Sequence, residues 1–172
     1  GQSSPGGIVN LVSKRPTPDA LRQVELLAGS FGRREVRTDL GGPLDDPGTL
    51  SWRLTGLKRD SDSQIPWAPD NRTFVAPALR WQPDANTSFT LLGHYQKDLT
   101  VGNAVYHQTG TGMDRRYFSG DPAFQNYGQE QSQIGYLFEH RFSNGWTVRQ
   151  NLRSGRIRSD MRYVTTTAIS DD

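Results

Sequence analysis

Apolar and polar residues alternate with a period of two along most of this chain. In Ile134-Gly-Tyr136-Leu-Phe138-Glu-His140-Arg-Phe142, one face carries Ile, Tyr, Phe and Phe, while Gln133, Leu137, Glu139 and Arg141 occupy the other. Trp146, Val148, Gln150 and Leu152 alternate with Thr147, Arg149, Asn151 and Arg153. Leu50, Trp52 and Leu54 alternate with Ser51, Arg53 and Thr55, and Phe89, Leu91, Gly93 and Tyr95 with Ser88, Thr90, Leu92 and His94. Weaker copies occur at Val24-Leu26-Ala28 and at Val36-Thr38-Leu40. Successive strand side chains point to opposite sides, so this pattern predicts strands with one apolar and one polar face. Seven are expected, over roughly 21–29, 33–41, 49–59, 72–82, 87–98, 131–142 and 146–158. Pro77 is awkward in the middle of the fourth and implies a bulge or locally weak pairing. Capping residues joined to a 3.6-residue period are nowhere evident, so no helix is expected.

The connections narrow the architecture. Every second one is short and turn-like: GGPLDDPG at 41–48, PDAN at 83–86 and SNG at 143–145. The intervening ones start short at 30–32, then lengthen to SDSQIPWAPDN at 61–71 and to the stretch 99–130. Short turns on one side and long loops on the other mark outer-membrane barrels, whose apolar face meets lipid and whose polar face lines the lumen. Trp52, Trp81, Phe89, Phe142 and Trp146 sit beside the short turns, where an interfacial aromatic girdle belongs. A soluble antiparallel sandwich shows the same alternation with the apolar face turned inward, and stands as the alternative. Arg37, Arg53, Arg141, Arg149 and Arg153, with Glu25, Glu35, Asp39 and Glu139, fit either: a solvated face, or a charged inner wall.

Composition supports the barrel. Only 33% of the 172 residues are hydrophobic, yet 10% are aromatic, a mixture too aromatic for disorder and too polar for an ordinary soluble core. No apolar run approaches the roughly 20 residues of a spanning helix. With net charge +2 and basic residues spread along the chain, no nucleic-acid surface is expected. The absence of cysteine excludes disulfides, thiolate catalysis and Cys-ligated metal. His94, His107 and His140 are too far apart for a local zinc motif and read as structural. Asp45-Asp46, Asp60, Asp62 and Asp171-Asp172 lack the ordered carboxylate spacing of a calcium loop. No nucleophile–base pair is found, so no catalytic residues, metal ligands or cofactor are expected and an enzyme is not. The candidate functional element is the loop 99–130, because loops this long are usually functional or disordered.

The opening stretch GQSSPGGIVNLVSKRPT, then LLAGSFG, LSWRLTGLKRDSDSQ, APALRWQPDANTSFTLLGHYQKD and GYLFEHRFSNGWTVRQNLR resemble consecutive blocks of TonB-dependent siderophore receptors, closest to the ferrichrome (ferric hydroxamate) group. The resemblance implies a fragment. Residues 1–19 would close the plug and form a hinge at Arg15-Pro16-Thr-Pro18, and 20–172 would be the first seven of about 22 barrel strands. It also implies a multi-pass protein of the Gram-negative outer membrane, in contact with lipid and lipopolysaccharide, that imports a ferric siderophore whose iron is held by the siderophore itself. Force would come from TonB–ExbB–ExbD through a TonB box outside this chain. In that group, aromatics after the fifth strand contact the siderophore. Tyr106 matches one by position, while Ala104 departs from another. Tyr106, His107, Arg115, Tyr117 and Phe118 are therefore the candidate siderophore-binding residues. An inert remnant with two open sheet edges is a further alternative.

Overall fold

The computed structural model describes residues 12–101, 116, 118 and 120–164. Seven strands form one antiparallel sheet: β1 (Leu21–Ala28), β2 (Arg34–Pro43), β3 (Leu50–Asp60), β4 (Asn71–Trp81), β5 (Thr87–Thr100), β6 (Asn126–Arg141) and β7 (Thr147–Arg162). Each pairs only with its neighbours in sequence, in the order β1-β2-β3-β4-β5-β6-β7. A sandwich needs a second sheet to cover the apolar face, and every described strand lies in this one.

Register converts the alternation into two faces. Glu25 lies opposite Arg37, Asp39 opposite Thr55, Gly41 opposite Arg53, and Glu139 opposite Arg149, so the charged residues share one side. On the other side Trp52, Leu79, Leu91, Tyr136 and Leu152 form a continuous transverse row. Towards the short turns this face carries Trp81 opposite Phe89 and Phe89 opposite Phe138, with Phe89 stacked on Tyr136 at 5.5 Å. Trp81, Phe142 and Trp146 are exposed there, as an interfacial girdle requires. Towards the long loops it turns polar, at a row running Lys58, Thr73, Lys97, Glu130, Arg158. The apolar band thus has two boundaries, which matches a lipid-facing surface.

Pro77 weakens the pairing locally, since neither it nor Ala76 is paired with β5, but it produces no bulge. The β4–β5 ladder resumes in phase, from Val75 opposite Tyr95 to Ala78 opposite Leu92. Gly93 makes this feasible, because a Cβ there would lie 2.9 Å from Pro77 Cγ. The strands also lengthen across the sheet, from 8 residues in β1 to 16 in β7. From the aromatic at its short-turn end, β3 runs from Trp52 to Asp60, whereas β7 is entered at Trp146 and continues to Arg162.

Candidate functional site

The long-loop end differs from expectation in one respect. β5 continues to Thr100 and β6 begins at Asn126, with Thr100 opposite Tyr127, so the connection is shorter than 99–130. Asn126 to Gln133 is polar on both faces and shows no alternation, but backbone pairing with β5 and β7 needs none. Of the five candidate residues, Tyr106, His107, Arg115 and Tyr117 lie outside the described residues. Phe118 is half-buried, and its ring sits 5.9 Å from that of Trp67, tilted by 56°.

Trp67 belongs to the β3–β4 connection, and the sequence reading passed over it. Ala68 N–H donates to the Ile65 carbonyl at 3.2 Å, closing the turn Ile65-Pro66-Trp67-Ala68. Proline stands at the first central position, and Trp67 has φ 59° at the second, the arrangement of a type II turn. Glycine or asparagine is usual there; a bulky residue in this region costs on the order of 1–3 kcal/mol. Surrounding bonds hold it in place. Asp70 N–H donates to Ser61 O (2.7 Å), Ser61 N–H to Asn71 Oδ1 (3.0 Å), and Asp62 N–H to Phe31 O in the β1–β2 turn (3.0 Å). Arg59 donates to the Asp70 carboxylate (2.5 Å) and carbonyl (2.9 Å) and reaches toward Glu35, which also accepts from Arg33 and Arg37. The signal in the sequence was Pro-Trp where Pro-Gly is the ordinary pair.

Beside this turn, on the charged face, a cavity of about 250 Å³ is lined by Asp70, Asn71, Arg72, Asp98, Leu99, Thr100, Tyr127 and Gln129. Arg72 Nε donates to Asp98 Oδ1 at 2.6 Å, and Gln96 Nε2 to Asp98 Oδ2 at 2.6 Å. The site therefore offers fixed polar groups, with Tyr127 as the aromatic among its lining residues. His94 packs edge-on against Phe74 at 5.2 Å; His140 lies 2.9 Å from Thr87 Oγ1 and 4.5 Å, ring to ring, from Phe142. Among the described residues no group of three His, Cys, Asp or Glu side chains could hold a metal ion.

A second constellation fixes the N-terminal segment to the same face. Asp39 accepts from Arg53 Nε and Nη2, both at 2.7 Å, and from Lys14 Nζ at 2.7 Å. Arg53 Nη1 also donates to the Arg15 carbonyl at 3.0 Å, and Pro16 is fully buried. Gly42, at φ 152°, lets the incoming chain pass close, since a Cβ there would stand 3.3 Å from Ala20 Cα. Farther along, residues 12–14 face Thr55, Phe74, Leu92, His94, Gln133 and Arg153 across a cavity of about 410 Å³.

A single wall, charged on one side and apolar with an aromatic girdle on the other, is the wall of an outer-membrane β-barrel. No protein-family model matches the chain. It is 34% identical over 180 residues to the ferrichrome outer membrane transporter/phage receptor of Escherichia coli (strain K12), covering 100% of this chain and 24% of that protein. It is 35% identical over 161 residues to the ferrioxamine B receptor of Salmonella typhimurium (strain SL1344), covering 89% and 23%. In fold it is similar to the ferripyoverdine receptor of the outer membrane of Pseudomonas aeruginosa bound to ferripyoverdine, with TM-score 0.79 and 21% identity over 92% of this chain and 22% of that one. The chain belongs to the TonB-dependent siderophore receptors of the outer membrane. It spans about a quarter of the length of the curated relatives it matches.

Proposed function

We propose that this chain is the plug terminus, 1–19, and the first strands, 20–172, of a receptor that imports a ferric siderophore of the hydroxamate type. The observation that carries this reading is the likeness, along the whole chain, to a protein named for ferrichrome and, along most of it, to one named for ferrioxamine B. The receptor binds its chelate at the long-loop end and is driven by TonB–ExbB–ExbD. It makes and breaks no bond, and the iron stays within the siderophore. Tyr106, His107, Arg115, Tyr117 and Phe118 contribute from the β5–β6 loop. The clasp at Asp39 supports the hinge, because it fastens the segment that leads into β1 to the inner wall. The outward row of Lys97 and Arg158, with Arg156 beside Ser132, supports contact with lipopolysaccharide phosphate above the apolar band.

The test is uptake. A strain lacking the full-length receptor should lose ⁵⁵Fe accumulation from ferrichrome or ferrioxamine B under iron limitation, and regain it on complementation, but not in a TonB-deficient background. Unchanged uptake of both chelates on deletion, in a strain with no second receptor for them, would refute the reading.

A further inference from the structure

Trp67 combines three properties that ordinary packing does not bring together. It occupies a left-handed backbone position at φ 59°, where tryptophan is disfavoured. Within this chain burial does not hold its side chain there, because the residue is 66% exposed while its neighbour Ala68 is buried. And it reaches out of the β3–β4 connection to touch Phe118 of the β5–β6 loop. A turn that wanted only stability would carry glycine at this point and lose nothing from a core.

From this we infer that Trp67 is a chelate-binding residue, the fixed half of an aromatic clamp whose other half is Phe118, and that it selects siderophores presenting an apolar outer surface. The inference rests on the reading of the chain as part of a ferric-siderophore receptor. Its chemistry follows from the surroundings. Trp67 is three residues from Asp70, which lines the 250 Å³ cavity with Arg72, Asp98 and Tyr127. Ligand pockets for drug-sized molecules measure about 300–1,000 Å³, so this recess takes one edge of a chelate rather than its whole bulk. Trp67 does not line the recess itself; it supplies apolar surface in the same β3–β4 connection as Asp70. At 5.9 Å and 56° the two rings are not stacked face to face, and most of the indole remains exposed. A chelate that wraps its metal in its own oxygens shows aliphatic carbon and carbonyl groups outward, which suits an exposed indole face together with hydrogen-bonding groups. The pinned turn removes the ordering entropy that a mobile aromatic would lose on binding.

The test uses the full-length receptor with Trp67→Ala, Trp67→Gly and Trp67→Phe, and two probes, ⁵⁵Fe-loaded ferrichrome and ⁵⁵Fe-loaded ferrioxamine B. Equilibrium binding and thermal melting in detergent are both read. Trp67→Ala and Trp67→Gly should raise the Kd of the bound probe about tenfold or more, and Trp67→Phe by less than about threefold. Trp67→Gly should melt at or above the wild-type temperature, because glycine suits the turn. An unchanged Kd in Trp67→Ala, beside a wild type that binds, overturns the inference alone. Trp67→Gly losing stability and binding together assigns the ring to packing and also overturns it. A wild-type receptor that binds neither chelate overturns the underlying reading and this inference with it.

Discussion

Replacing Arg53 by alanine should loosen the N-terminal segment far more than replacing Lys14, although both donate to the same carboxylate at 2.7 Å. Exposure decides the difference. The Asp39 side chain is 9% exposed and Arg53 17%, whereas Lys14 is 57% exposed. An exposed lysine pair contributes about 0–1 kcal/mol. Removing one partner of a well-buried pair costs about 3–5 kcal/mol. Here Lys14 still neutralises Asp39, so Arg53→Ala should cost about 2–3 kcal/mol, including the bond from Arg53 to the Arg15 carbonyl. A double-mutant cycle between Asp39 and Arg53, measured by chemical unfolding of the full-length receptor in detergent, should give a coupling above about 1.5 kcal/mol. The Asp39–Lys14 cycle should stay near about 0.5 kcal/mol. Equal couplings, or an Arg53→Ala protein no less stable than Lys14→Ala, would refute this reasoning.

Three other outcomes are expected. Because the chain has no cysteine, Ser63→Cys and Asn144→Cys can be labelled singly; an impermeant maleimide on intact cells should mark the first and not the second, and the reverse would invert the barrel. Gly93→Ala places a methyl 2.9 Å from the Pro77 ring and should destabilise the barrel by about 1–3 kcal/mol, a loss that Pro77→Ala partly restores; an unaffected melting temperature would count against the close approach. In the PDAN turn, bonds from the Asn86 and Thr87 amides hold the Asp84 carboxyl below its ordinary value, so the turn's extra stability is present above a pH of about 3.9 and fades as pH falls through the lower folded value. Amide exchange at Thr87 should show that loss, and Asp84→Ala should show it at every pH.

How much was legible follows from what each residue had to face. Where one side meets lipid and the other a lumen, as at Ile134, Tyr136 and Phe138, alternation reveals the strand directly. Where both sides are largely polar, as at Asn126 to Gln133 and again at Ser159-Asp160, little contrast exists, and β6 and β7 were read short. Pro77 was visible as an irregularity, but its remedy was not, because Gly93 becomes its neighbour only through the β4–β5 register. The Asp39 clasp joins positions 14, 39 and 53, a proximity that only the folded sheet creates. The Trp67 segment was read only as part of the connection 61–71; that an aromatic fills a glycine position became evident from its backbone angle.

The lengthening of the strands makes this stretch of wall uneven from one edge of the sheet to the other. Relative to β1, the last strand has eight more residues, which at about 3.4 Å each is roughly 27 Å along its axis. At a tilt near 40°, that is about 20 Å of height. Register distributes it unevenly: the row through Leu21 reaches Arg153 and the row through Leu27 reaches Ser159, so Thr147 to Leu152 extend past β1 towards the short turns and Met161 and Arg162 towards the long loops. Where that length falls is fixed by the backbone ladder and not by any side chain.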